Sequence, residues 1–343
     1  MERARWIRGP RADSVVAWCW VPLFLVAWTV VENADATNAL LLAAFGLSFI
    51  HQPLTLALVY GDPEQFAEHR RLFAWSPVVF VLAVVVGVEI SPALVAAVAG
   101  LWNAEHTLMQ RFGLVRVYGR KVGEDSDGAA LERWMLLSWL GLALVWVAAS
   151  KDTAAMVSGL ALGDRNGAGV DLLTSTRPMA QVLLLPMVAV VVGLTARWVR
   201  VERARGADAN PAKHLYVAST AALFVTMLLW PVPGFIAYIG SHALEYFAVV
   251  DHALGRRYLR RDGGALGIAV RRFGGTWVVA GLVAVTLAAY MAVGDQRYEG
   301  AMGVVVLTAG GLHVFYDGFI WKLRRAPVAD SLDIPRVSVA TRV

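Results

Sequence analysis

What most limits this chain is a series of apolar stretches, each about as long as a hydrocarbon core is thick, that follow one another almost to the end. Spans are read at 14–32, 38–60, 75–90, 92–113, 133–150, 178–198, 214–232, 234–256, 276–294 and 300–321. A helix needs roughly 20 predominantly apolar residues to cross a bilayer. In lipid, only helices and closed barrels satisfy their own backbone groups. The chain therefore reads as an all-α polytopic membrane bundle of about ten helices, or about eight if two proline-rich junctions (Glu89 to Pro92 and Trp230 to Gly234) are kinked hairpins. Residues 1–325 form one transmembrane domain and 326–343 a cytoplasmic tail, expected to be disordered or loosely docked. Composition agrees: 17% of the 343 residues are charged and 58% hydrophobic, against about 25% charged in soluble domains.

Basic residues set the orientation. With the amino terminus in the cytoplasm, 27 of the 31 Lys and Arg fall on that side, leaving only Lys151, Arg165, Arg177 and Arg297 opposite. This positive-inside asymmetry predicts both termini in the cytoplasm, as in a bacterial inner-membrane protein. The net charge of +5 is thus a membrane-surface pattern and not a nucleic-acid footprint. The first apolar stretch follows a basic head, as a signal peptide does. Glu32 and Asp35 stand where a cleavage site would be, so it is read as a retained span. The outer 151–177 stretch reads as a loop, and 266–273 as an interfacial helix. With one cysteine, Cys19, the chain has no disulfide framework and no thiolate cluster.

The informative residues are the polar ones inside these spans. His69 and His214 sit among charges at span ends and read as surface groups. His51, His106, His242, His252 and His313 lie within apolar runs. His51 is followed by Gln52 and Pro53. His106 has Gln110 a turn on and Glu105 beside it. His242, Glu245 and His252 form a polar stripe on the eighth span. His313 and Asp317 are four residues apart, so on a helix they share a face. Counted from the cytoplasmic ends of their spans, His51, His106 and His313 fall within about 6 Å in depth. His242 and His252 bracket that layer.

Ionisable groups at such depth are costly and mark function by default, and neutral imidazole is the commonest metal ligand. The five histidines are read as candidate metal ligands, with Glu245, Asp317, Glu105 and Gln110 as their orienting partners or proton carriers. An all nitrogen–oxygen donor set suits iron(II), zinc, copper or manganese. Iron with O2 is the natural use beside a lipophilic substrate. No HExxH, GxGxxG, Walker loop or paired-cysteine motif is present.

Single histidines on separate spans, one in Phe49-Ile50-His51 and one with an acid a turn later in His313-Val-Phe-Tyr-Asp317, resemble the Brp/Blh-type β-carotene 15,15'-dioxygenases. The resemblance implies a non-haem iron held by four membrane histidines, carried here by His51, His106, His242 and His313, with His252 as an alternate. It implies an oxygenase acting on a carotenoid, another isoprenoid or a fatty chain. Trp102, Phe112, Tyr246, Phe247, Phe315 and Tyr316 would then line an apolar tunnel. The competing readings are a proton-coupled or metal-ion transporter using the same His, Glu and Asp groups, and a structural protein whose buried polar groups only lock helices together.

Overall fold

Prolines and short polar side chains set the helix boundaries in the computed structural model, which describes residues 5–152, 165–258, 264–293 and 300–335. Every element among them is helical: α1 (Pro10–Ala17), α2 (Trp20–Val30), α3 (Ala34–Tyr60), α4 (Pro63–Glu68), α5 (Arg70–Ile90), α6 (Pro92–Lys121), α7 (Ala129–Ala149), α8 (Arg165–Arg205), α9 (Pro211–Leu229), α10 (Pro231–Tyr258), α11 (Gly264–Phe273), α12 (Gly275–Val293), α13 (Gly300–Ile320) and α14 (Ala326–Ser331). Asn33, Asp62, Ser91 and Asn210 each cap the helix that follows, their side-chain oxygens accepting a backbone N–H of its first turn. In α4, α6 and α9 a proline fills the first helical position, where an N–H would have no partner.

Both proline junctions of the sequence break the helix and start a new one, at Ser91 and at Trp230. Behind the second, a Cβ on Gly234 would stand 2.6 Å from Met227 Cα. Only glycine lets α9 and α10 approach so closely there.

Among the described residues, seven helices are long and apolar enough to cross a membrane: 10–30 (α1 with α2), 34–60, 70–90, 129–149, 174–208, 211–229 and 303–320. The bent pair α11–α12, which turns through 112°, makes an eighth if taken as one span. Two of the ten expected spans are not in this set. α6 and α10 run to 30 and 28 residues, ample to cross. They have exchanged apolar residues for polar ones, among them His106 and Arg111 on α6 and His242 and Glu245 on α10.

α10 is the axis of the bundle, packed against α2, α3, α9, α12 and α14. Its buried residues run from Val232 to Tyr258. α5 and α8 are the opposite case, with mean hydropathy 2.2 but only 11% and 6% of their most apolar windows buried. Such faces are apolar toward the outside, as a helix in contact with lipid is.

One expectation about connections is corrected, and of the two alternatives for the tail, docking holds at its start. The second half of the 151–177 loop is helical, because α8 begins at Arg165; the apolar piece at 156–162 lies outside the described residues. The tail is docked at its start. Val328, Leu332 and Ile334 are buried against Val117, and the Lys121 ammonium donates to the Asp333 carbonyl at 3.2 Å. Three apolar side chains were enough to seat a segment that reads as weakly patterned. The 266–273 stretch is helical as expected, within α11.

Candidate metal centre

Four helices each bring one imidazole to the same place: His51 on α3, His106 on α6, His242 on α10 and His313 on α13. The Nε2 of His313 lies 3.0 Å from the Nε2 of His51 and 3.0 Å from that of His106. The His242 ring stands edge-on to His51 and to His106, with centroids 4.6 and 5.2 Å apart. One nitrogen each from His51, His242 and His313 lies within 4.8 Å of the others, as do those of His106 and His313 with an Asp317 oxygen. Two nitrogens bound at right angles to an ion about 2.1 Å away are about 3.0 Å apart. The closest ring pairs therefore have the spacing of adjacent ligands.

Burial and missing partners decide whether a metal fits. His51, His242 and His313 are 0% exposed. Neither nitrogen of His242 has a hydrogen-bond partner, nor does Nδ1 of His51. Leaving a buried polar atom unsatisfied costs about 1–3 kcal/mol, and four rings from four helices do not meet in this state by packing preference alone. Imidazole nitrogens with one carboxylate and no thiolate suit a first-row ion such as iron(II), zinc, copper or manganese. The residues fit the group.

Asp317 belongs to the cluster. Its Oδ2 is 3.7 Å from His106 Nε2 and 3.9 Å from His313 Nε2. Its Oδ1 accepts from the Thr55 hydroxyl at 2.8 Å and from Tyr246 at 3.1 Å. Thr55 is also 2.7 Å from His313 Nδ1 and bonds the Tyr246 hydroxyl. The α6–α10 seam sets the register of His106 against His242 by polar clamps. Tyr238 donates to the Ala104 carbonyl at 2.7 Å, and Gln110 Nε2 donates to the His242 carbonyl at 3.0 Å. Just beside them the Arg111 guanidinium pairs with Glu245 and donates to Ser241 at 3.0 Å and Thr220 at 3.2 Å.

The other candidates are placed elsewhere. Glu245 is completely buried; its carboxylate pairs with Arg111 and accepts from Tyr216 at 2.6 Å, contacts that lie beside the rings and not among them. Gln110 holds α10 by its backbone and no ring. Glu105, about 100° round α6 from His106, is partly exposed and makes no hydrogen bond to the cluster. His252 sits ten residues beyond His242, about 15 Å along the helix, where its Nε2 lies 3.9 Å from Asp333 beside Arg256. Of the expected tunnel residues, Tyr246 and Tyr316 use their hydroxyls in hydrogen bonds, Tyr316 with Tyr60 and Ser76. Phe112 packs in a different core. Trp102 and Phe315 flank Phe80 beside Gly311, two residues from His313.

Sequence reasoning missed Thr55 and misread Arg111. Thr55 is one turn after His51 on the same face, a signal present in the spacing. Arg111 counted as a cytoplasmic end charge, yet it is buried with Glu245 as its counter-ion. Neither a protein-family model, nor a curated protein, nor a solved structure matches the chain.

Proposed function

We propose that this chain is an integral-membrane, metal-dependent oxygenase acting on a lipophilic substrate, with His51, His106, His242 and His313 holding an iron(II) ion and Asp317 beside them. The observation that carries this reading is the meeting of four buried imidazoles with the two nitrogens of His242 unpartnered. Bound iron would supply the activation of O2 that oxidation of a hydrocarbon requires. The surrounding residues do three things. Thr55, Tyr246 and the α6–α10 clamps orient the rings. Phe80, Trp102 and Phe315 keep one side apolar, where an isoprenoid or fatty chain would fit. Asp317 keeps one oxygen toward the rings, placed to bind the ion or to accept a proton. Carotenoid cleavage of the Brp/Blh type is chemistry of this kind.

The topology that goes with it has ten crossings and both termini cytoplasmic, in a bacterial inner membrane. α6 and α10 are counted as spans because the bundle, and not lipid, surrounds their polar residues. The basic asymmetry supports that orientation. Proton or metal transport is supported less well, since Arg111 neutralises the deep carboxylate Glu245.

Elemental analysis of detergent-purified protein tests the proposal. Iron near one per chain is expected, and His313→Ala and His106→Ala should each lower it beyond the about 10–100-fold affinity loss of an outer partner. Folded wild-type protein that takes up no iron, zinc, copper or manganese would sink the reading. Retinal formed in carotene-producing cells would identify the substrate.

A further inference from the structure

The Thr55 hydroxyl touches three polar groups at once: His313 Nδ1 at 2.7 Å, Asp317 Oδ1 at 2.8 Å and the Tyr246 hydroxyl. It is fully buried, so water does not share in this arrangement. A hydroxyl has one proton to give and two lone pairs to accept with. A carboxylate that serves a metal is ionised and only accepts, so in the metal-centre reading the Thr55 proton goes to Asp317. One of the Thr55 lone pairs then takes the His313 Nδ1 proton, and the other shares the single Tyr246 proton with Asp317 Oδ1. This assignment satisfies every donor. It leaves His313 Nε2 as a bare lone pair, 3.0 Å from the His51 Nε2 and 3.0 Å from the His106 Nε2.

The same contacts decide what Asp317 can do. Oδ1 is held by two hydroxyls, while Oδ2 is left toward His106 and His313, at 3.7 and 3.9 Å. A carboxylate held by one oxygen offers the other as a single ligand. It does not chelate with both.

We infer that Thr55 is a positioning residue of this centre: its hydroxyl fixes His313 with Nδ1 protonated and Nε2 free for the ion, and turns Asp317 so that only Oδ2 faces the rings. The inference rests on the metal-centre reading above. It assigns the alignment of two groups from α13 to one side chain from α3. The metal-ligating histidine of many sites has its other nitrogen tied to an acceptor in this way; here the acceptor is a threonine, which passes the contact on to a carboxylate.

The test uses full-length protein in detergent with Co2+ alone as the probe, read by chelator competition and by visible absorption. Thr55→Val keeps the shape and removes the hydroxyl; Thr55→Ser restores the hydroxyl. Thr55→Val is expected to weaken Co2+ binding about 10–100-fold and to alter the absorption bands, and Thr55→Ser to stay within about threefold of wild type. Tyr246→Phe, which leaves the Thr55–His313 contact in place, should fall between them. Wild-type affinity and spectrum in Thr55→Val overturn the inference and leave the centre standing. A Thr55→Ser protein as weak as Thr55→Val overturns it too, since bulk and not the hydroxyl would then matter. If wild-type protein itself binds no Co2+, the centre fails first. Where Thr55→Val does not fold, Thr55→Ala against Thr55→Ser makes the same comparison.

Discussion

Among the described residues, buried side chains of metal-ligand type gather in two places, and the two clusters are finished in opposite ways. At one end of α6 to α9, Glu124, Glu132 and Glu202 bring carboxylate oxygens within 4.8 Å of one another. The Lys213 ammonium fills the space between them, at 2.8, 2.5 and 2.7 Å. Arg116 adds a bond to Glu132 at 2.7 Å, and His214 one to Glu202 at 2.9 Å. The chain supplies its own cation there. At the histidine cluster no side chain plays that part, and three ring nitrogens are left without partners. Geometry alone treats both as candidate metal sites. What separates them is the cation: one cluster is closed by the Lys213 ammonium, and the other has no cationic side chain among its rings.

The contrast breaks most sharply at Lys213. Replacing it with methionine leaves three buried carboxylates facing one another, and losing one partner of a buried pair costs about 3–5 kcal/mol. A loss at or above that range is expected, read as the drop in unfolding midpoint in detergent, with metal-free protein so that the histidine cluster does not contribute. Little change would mean that Arg116, with Arg205 at 3.5 Å from Glu124 and 3.4 Å from Glu202, already balances the charge. Next is Arg111→Met, which strands a single carboxylate, Glu245, at a site 0% exposed. Its cost should approach about 3–5 kcal/mol, and Arg111→Met with Glu245→Gln should recover most of it. A double variant no better than the single one would show that the α6–α10 clamp, and not charge balance, is what Arg111 provides.

These two regions also show how far the sequence could be read. The apolar stretches gave the helices, and the two helices whose polar residues keep them out of the set of apolar spans, α6 and α10, carry two of the four imidazoles, His106 and His242. The histidines at 51, 106, 242 and 313 were legible because each interrupts an apolar run. His252 interrupts one equally well, yet it sits far down α10 against Asp333, because helix pitch and not local context decides which residues share a depth. Glu245 looked like a partner for His242 from its spacing of three. Its true partner, Arg111, is 134 residues away, and such a pairing appears only once α6 lies beside α10. Thr55, though a turn from His51, was passed over for another reason. A threonine in an apolar helix is ordinary, since its hydroxyl commonly bonds its own backbone; only the positions of Asp317 and His313 give it work.

The smallest expected effect is the most diagnostic, at His242. Its ring makes edge contacts with His51 and His106 and no hydrogen bond, so His242→Leu removes two unsatisfied nitrogens and keeps an apolar side chain in their place. Replacing an unpartnered polar group by an apolar one is close to neutral or stabilising. Metal-free His242→Leu should therefore unfold within about 1 kcal/mol of metal-free wild type, far from the Lys213 variant although both residues are equally buried. Addition of the ion separates the two proteins. At about 100 times its dissociation constant a ligand adds about 2.7 kcal/mol to the native state; the wild type should gain that much and His242→Leu distinctly less at the same concentration. Equal gains would remove His242 from the ligand set. A metal-free loss as large as that of a broken ion pair would mean that the ring is already satisfied within the protein, and the histidine cluster would then be the same kind of structure as the glutamate cage.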